Sequence, residues 1–282
     1  VSHPDPDFSG VQSVPVWRRG VEGQDSVVQE VPVALTYNGI SHAVMMATPT
    51  DLEDFALGFS LTEGLIDRVD QFLDCDVLPG PQGVTLQITV TAACFARFKD
   101  QRRAMTGRTG CGLCGASSLD QAVRYLPPLP GVAEVGALGG AGFSKAFSVK
   151  ALLNAMGDLR SSQVLLASTG SAHAAAWCDA QGHIHCVRED VGRHNALDKL
   201  IGALARESER PVSSGAILVT SRASHEMVQK TAAAGVPVLA AVSGVTTLAI
   251  DTAQATGVGL AGFVRQQDFG VYAHPERFLH DV

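Results

Sequence analysis

The sequence predicts an α/β domain with an added hairpin, preceded by a smaller α+β unit and an arm. Two observations carry this reading. The C-terminal third alternates apolar, strand-like runs with helix-like runs, and residues 27–90 read as hairpin, helix and strand. A length of 282 residues accommodates one large domain or two modest ones.

In chain order, residues 1–26 mix Pro, Asp, Ser and Gly with little periodicity, which predicts a mobile arm. Residues 27–35 and 41–47 are β-rich and flank Asn38-Gly39, a pair that tolerates the positive φ of a hairpin turn. Thr50-Asp51-Leu52-Glu53 has the spacing of a capping box, opening a helix through Phe55, Leu57, Phe59 and Leu61 that ends near Gly64. Val84, Leu86, Ile88 and Val90 alternate with polar neighbours, as a half-buried strand does. The small α+β unit is thus placed at 27–105 and the α/β domain at 106–282. Residues 97–115 read as a hinge, 117–125 as a helix and 127–142 as a Pro/Gly-rich loop. Residues 164–168 read as an apolar strand, and 174–178 with 184–187 as a hairpin. Residues 194–207 place Ala196, Leu197, Leu200, Ile201 and Leu204 on one helical face. Strands at 216–220, 236–242 and 258–264 then alternate with helices at 225–234 and 247–255. That order predicts parallel pairing in a sheet covered on both faces.

Composition excludes several classes. Hydrophobic residues are 46% and charged residues 17%, as in a compact globule. Twenty-eight acidic against 21 basic residues give a net charge of −7, which disfavours nucleic-acid or anionic-membrane binding and makes any anion site local. No run approaches the ~18 apolar residues of a membrane span. Six scattered cysteines do not make a disulfide scaffold, and the opening residues lack a secretory signal, so the expected compartment is the cytoplasm.

Cys111 and Cys114 stand apart from Cys75, Cys94, Cys178 and Cys186. The nine residues from Gly107 hold four glycines and this Cys-Gly-Leu-Cys pair, a composition that leaves thiols uncovered and turns backbone N–H groups toward a bound group. Upstream, Arg97, Lys99, Arg102, Arg103 and Arg108 stand against the single acid Asp100. Guanidinium groups, and a helix expected to begin near Ser118, favour thiolate, the nucleophilic form. The spacing alone serves a zinc half-site as well as sulfur chemistry. Zinc needs two further ligands, and His173, His183, His185 and Cys186 show no matching spacing. The arginines favour sulfur, because a zinc site gains nothing from a surrounding positive field.

Three segments at strand ends are rich in small hydroxyl residues: 168–173, 220–226 and 243–247. In an open α/β sheet such segments share one edge with the N-termini of the following helices, which suits phosphate or diphosphate. Ser224 and Thr246 taken alone read rather as helix caps, and Arg222 favours an anion beside the first. The densest polar run, Arg188 to Lys199, contains Asp190, Arg193, His194 and Asn195 at a strand-to-helix junction. It suits a substrate-positioning or catalytic cluster.

The chain resembles the FdhD-type formate dehydrogenase accessory sulfurtransferases. The resemblance lies in TGCGLCG at 109–115, REDVGRHNALDKLIG at 188–202, SRASHEMVQKTAAAGVPVLAAVS at 221–243, GFVR at 262–265 and ALGFSLTEGLI at 56–66. It implies a cytidine-deaminase-like three-layer αβα domain with a mixed sheet, without the deaminase zinc ligands and holding no metal of its own. It also implies a homodimeric sulfur carrier that takes persulfide sulfur from a cysteine desulfurase. That sulfur passes to the molybdenum cofactor, bis(molybdopterin guanine dinucleotide), before insertion into the formate dehydrogenase apoprotein. Cys111 maps to the persulfide carrier and Cys114 to its companion. The cofactor segment maps to Phe263, Val264, Arg265, Gln266, Gln267 and Asp268, where Gln266-Gln267 depart from the expected glycine or charged residues. Arg222, Ser224 and Ser243 are the matching candidates for the nucleotide phosphates, with Arg193 and His194 beside them. The competing expectations are a cofactor-binding chaperone that transfers no sulfur and a zinc-dependent hydrolase or deaminase.

Overall fold

The structure is a computed structural model that describes residues 9–106, 126–129, 146–207, 211–265 and 268–279. It opens with a hairpin, β1 (Val11–Arg18) and β2 (Val21–Val28), where the sequence predicts a mobile arm. Arg19 and Gly20 turn it with φ of 53° and 83°, a conformation that Arg announces far less clearly than Asn does. Next come β3 (Val31–Tyr37) and β4 (Ile40–Ala47), joined by Asn38-Gly39 as expected, with φ of 46° and 83°. Helix α1 (Leu52–Thr62) follows, then β5 (Phe72–Gly80), β6 (Gly83–Val90) and α2 (Ala92–Thr106). These strands form a mixed four-stranded sheet in the order β4-β3-β6-β5. Leu35, Tyr37, Leu86 and Ile88 on one face bury Phe55 and Phe59 of α1 and Cys94 and Phe98 of α2. The basic stretch begins as part of α2 rather than as a hinge. Arg97 pairs with Asp67 at 2.8 Å, and the Lys99 ammonium lies 4.8 Å from the Phe95 ring centre.

The remaining described helices are α3 (Val149–Leu159), α4 (Val164–Thr169), α5 (Arg193–Arg206), α6 (His225–Ala233) and α7 (Thr247–Thr256). The strands of this part are β7 (Phe147–Ser148), β8 (His173–Cys178), β9 (Ile184–Asp190), β10 (Ala216–Val219), β11 (Val238–Ala241), β12 (Gly259–Arg265), β13 (Asp268–Ala273) and β14 (Phe278–Leu279). Six of them make one mixed sheet, β13-β12-β11-β10-β8-β9, in which β10, β11 and β12 are parallel. Side-chain alternation divides it between two layers. Ala175, Trp177, Ile217, Val219, Leu239 and Leu260 pack with residues of α5, α6 and α7; Ala176, Leu218, Ala240 and Ala261 pack with Leu152, Ala155 and Leu159 of α3. This is the expected three-layer αβα arrangement.

Two further local expectations fail for identifiable reasons. Residues 164–168 are helical rather than extended. Glu189 Oε2 and Oε1 accept from the N–H groups of Leu165 and Leu166 at 2.7 and 3.0 Å, capping α4, while Gly170 at φ 69° ends it. Five residues, four of them apolar, are too short to distinguish the two periods. The capping box at Thr50 does not form either. Asp51 is the N-cap with no side-chain cap bond, and the Thr50 hydroxyl lies instead 3.5 Å from Lys199 Nζ.

Helices α1 and α5 cross in backbone contact. A methyl group on Gly58 would lie 1.7 Å from the Asp198 carbonyl oxygen, and one on Gly202 would lie 1.9 Å from that of Asp54. Buried charges flank the crossing. Lys230 Nζ of α6 lies 3.0 Å from both Asp198 carboxylate oxygens, 3.0 Å from the Thr62 hydroxyl and 2.7 Å from Glu63. Lys199 pairs with Asp190 at 2.8 Å, both fully buried, and donates to the Thr48 carbonyl at 2.9 Å. Asn195 donates to the Met46 carbonyl at 2.7 Å, and Arg188 pairs with Asp54 at 2.7 Å. The element that carries α2 is thereby fixed to the six-stranded sheet.

Candidate functional site

The strand ends of the six-stranded sheet meet along one edge. Parallel pairing brings the C-terminal ends of β10, β11 and β12 together, and antiparallel pairing adds the start of β8 and the end of β9, where His173 is in register with Asp190. Backbone bonds continue past the strands. Ala223 N donates to the Gly244 carbonyl at 3.1 Å, Thr246 N to that of Ala223 at 3.2 Å and Phe263 N to that of Ser243 at 3.0 Å. The polar segments 220–226 and 243–247 and the end of β12 are therefore knit into one surface, as the sequence predicts.

On this edge Arg222 is exposed and Ser243 half-buried. Ser224 precedes α6 without capping it, and its buried Oγ has no hydrogen-bond partner among the described residues. Thr246 does cap α7, accepting from Ala249 N at 3.3 Å. Arg193 and His194 open α5, whose N-cap Gly192 has no side chain to occupy the free N–H groups. Arg193, Arg222 and Arg265 lie within ion-pair distance of no carboxylate among the described residues. His194 Nε2 lies 2.7 Å from Glu226, and this partner holds the Glu226 carboxyl well below its ordinary range, at about 2. The edge thus has positive charge and unused donors, the properties of an anion site.

Phe263 is strained. Its φ of 54° is rare for a bulky side chain, and it sits at a bulge where β12 and β13 shift register. The ring is 41% exposed, rests on Gly244, and has the Arg265 guanidinium 6.0 Å from its centre. A flat, half-exposed ring beside a cation offers a stacking face. Val264 points the other way, into the core, and Asp268 starts β13 in register with Arg265. Gln266 and Gln267 lie outside the described residues.

Cys111 and Cys114, with Arg108 and the expected helix at 117–125, also lie outside the described residues. The other four cysteines are described. Burial pushes the thiols of Cys75 and Cys178 up to about 12 and that of Cys186 up to about 11, so all three stay protonated near neutrality. Cys94 is buried in the small-sheet core. The zinc candidates are dispersed: His173 starts β8, whereas His183 and His185 flank Asp179 at the opposite end of the β8–β9 hairpin.

The polar run 188–199 divides between two tasks. Only Arg193 and His194 face the edge. Asp190 does not, because it is enclosed by Lys199 and accepts from Thr48 N, Gly192 N and Asn195 Nδ2. Sequence reasoning missed Glu226 as the partner of His194; it read His173 both as a zinc candidate and as the end of the hydroxyl-rich segment 168–173.

The family model for the FdhD/NarQ family matches residues 28–279. Relatives named "Sulfur carrier protein FdhD" include one from Bordetella petrii, 50% identical over 281 residues and covering 98% of this chain and 96% of the relative. That of Variovorax paradoxus is 55% identical over 256 residues, covering 91% and 87%. That of Cupriavidus necator is 50% identical over 280 residues, covering 99% and 93%. A crystal structure from Desulfotalea psychrophila, provisionally described as a formate dehydrogenase accessory protein, superposes with a TM-score of 0.69. It is 23% identical and covers 95% of this chain and 98% of its own, which shows a shared fold.

Proposed function

The chain belongs to the FdhD/NarQ family, and from that membership we propose that it is a sulfur carrier and sulfurtransferase in formate dehydrogenase maturation. The observation that carries the reading is identity of about half, over nearly the whole length, to relatives named as sulfur carriers. In this reading a cysteine desulfurase presents a persulfide. The Cys111 thiolate attacks its outer sulfur, the donor's S–S bond breaks, and the donor cysteine leaves as thiolate. Cys111 then bears the persulfide, and Cys114 assists its hand-over to bis(molybdopterin guanine dinucleotide), the substrate that goes on to the formate dehydrogenase apoprotein.

The sheet edge is the substrate-binding surface in this account. Arg193, His194, Arg222, Ser224 and Ser243 hold the phosphates, and Phe263 with Arg265 takes the face of a guanine. Val264 and Asp268 hold this strand end in place, with Gln266 and Gln267 between them. Three arginines without a paired carboxylate, an unpartnered Ser224 hydroxyl and uncapped N–H groups at the starts of α5 and α6, all among the described residues, support the assignment. The protein works as a cytoplasmic homodimer and holds no metal of its own. No helix among the described residues is long and apolar enough to cross a membrane.

The test is complementation of cells lacking their own copy. The wild-type chain restores formate dehydrogenase activity, and Cys111→Ala does not, while still binding GDP. Full restoration by Cys111→Ala would overturn sulfur transfer in favour of a binding chaperone.

A further inference from the structure

The His173 side chain lies on the edge yet makes no hydrogen bond or ion pair to any described residue. It is half-buried at the start of β8, and its neighbours are charged. His173 is in register with Asp190 at the end of β9, three residues before Arg193 opens α5, and the charges of Arg193, His194 and Asp190 act on its ring. Of these, Asp190 is committed to Lys199, and His194 to Glu226 of α6. The Thr220 hydroxyl of the neighbouring strand end accepts from Ala174 N at 2.9 Å. An imidazole at this polar junction, without a partner among the described residues, has its ring nitrogens available to a ligand.

We propose that His173 is a proton-coupled ligand of the nucleotide phosphate: it meets the anion as imidazolium, so nucleotide binding carries a proton into the protein. This rests on the reading of the edge as a nucleotide-phosphate site. In the empty protein, burial and then the Arg193 charge depress the protonation of His173 below the ordinary imidazole value. A phosphate between Arg193 and His173 reverses the second effect, because the anion offsets the guanidinium and pairs with the ring N–H. The sign follows from linkage: a group protonated only in the bound state makes binding stronger as pH falls. No bond is made or broken, and the proton comes from solvent.

The experiment is calorimetric titration of the full chain with GDP at about pH 7.5, roughly one unit above the ordinary imidazole value, in two buffers of different ionisation enthalpy. Wild type takes up a fraction of a proton per GDP bound, and its affinity falls several-fold from about pH 6 to about pH 8, within the limit of about tenfold per unit per linked proton. His173→Gln binds GDP with less uptake and a flatter pH profile, and guanosine shows no uptake in either protein. Protonation of the GDP phosphate itself is common to both proteins and cancels in the comparison. An NMR titration of His173 in wild type, with and without GDP, reads the same shift without a variant. Equal uptake in wild type and His173→Gln, or an imidazole titration unmoved by GDP, overturns the coupling. Failure of GDP to bind wild type instead overturns the nucleotide reading of the edge, and the coupling with it.

Discussion

Lys230 shows how much a single buried charge decides here. Burial by itself pulls its ammonium down, but the carboxylates of Asp198 and Glu63 overcome this and leave it above the ordinary lysine value. A raised value in the folded state means that the pairing contributes fully below the unfolded value and is lost only as pH rises through the folded one. Lys230→Met leaves the Asp198 carboxylate buried without its cation, and we expect a loss of about 3–5 kcal/mol in denaturant unfolding. Lys230→Met with Asp198→Leu should recover much of that loss, because an apolar pair strands no charge. Additive losses would contradict the pairing. At the edge, Glu226 has the opposite sign: its carboxyl is depressed, so the contribution of its pair with His194 is present above the ordinary carboxylate range and lost as pH falls toward about 2. Glu226 is the more exposed partner, which keeps its effect on stability small. His194→Ala should return its titration, followed by carboxyl NMR, to about 4.3; an unmoved midpoint would exclude His194 as the cause.

At the scale of elements, the crossing of α1 and α5 explains why two glycines occupy helix interiors, where glycine costs about 0.5–1 kcal/mol relative to alanine. Gly58→Ala should lower stability by at least about 1–3 kcal/mol, because the methyl group meets backbone rather than a movable side chain. Gly157→Ala is the control. It also lies within a helix, but a methyl group there meets nothing within 4 Å, so the change should be neutral or stabilising in the same unfolding assay. Equal effects at both positions would contradict the close crossing. Elements with a long or doubly signalled pattern were legible in the sequence: α5 by its five apolar positions, the β3–β4 turn by Asn-Gly, and the β10–β12 repeat by strict alternation. Illegible elements lacked a local signal. Helix α4 depends on Glu189, about two dozen residues away, and the β1–β2 hairpin turns on Arg-Gly between strands of mixed polarity.

For the whole molecule, the sequence located the polar edge of the large sheet but did not separate it from the scaffold behind it. Arg188 to Lys199 reads as one functional cluster because a carboxylate facing a ligand and one facing a buried lysine look alike in one dimension. Folding resolves them: Asp190, Asn195, Asp198 and Lys199 join the small sheet to the large one, leaving Arg193 and His194 at the edge. The same scaffold connects α2, which leads toward Cys111, with α5 and α6, whose N-termini line the edge. The most direct measurement is the intact mass of the chain after incubation with a cysteine desulfurase and cysteine. Wild type and Cys114→Ser should each gain the mass of one reductant-labile sulfur, mapped in wild type to Cys111, while Cys111→Ala gains none. Undiminished sulfur on Cys111→Ala, or none on wild type, would contradict the account.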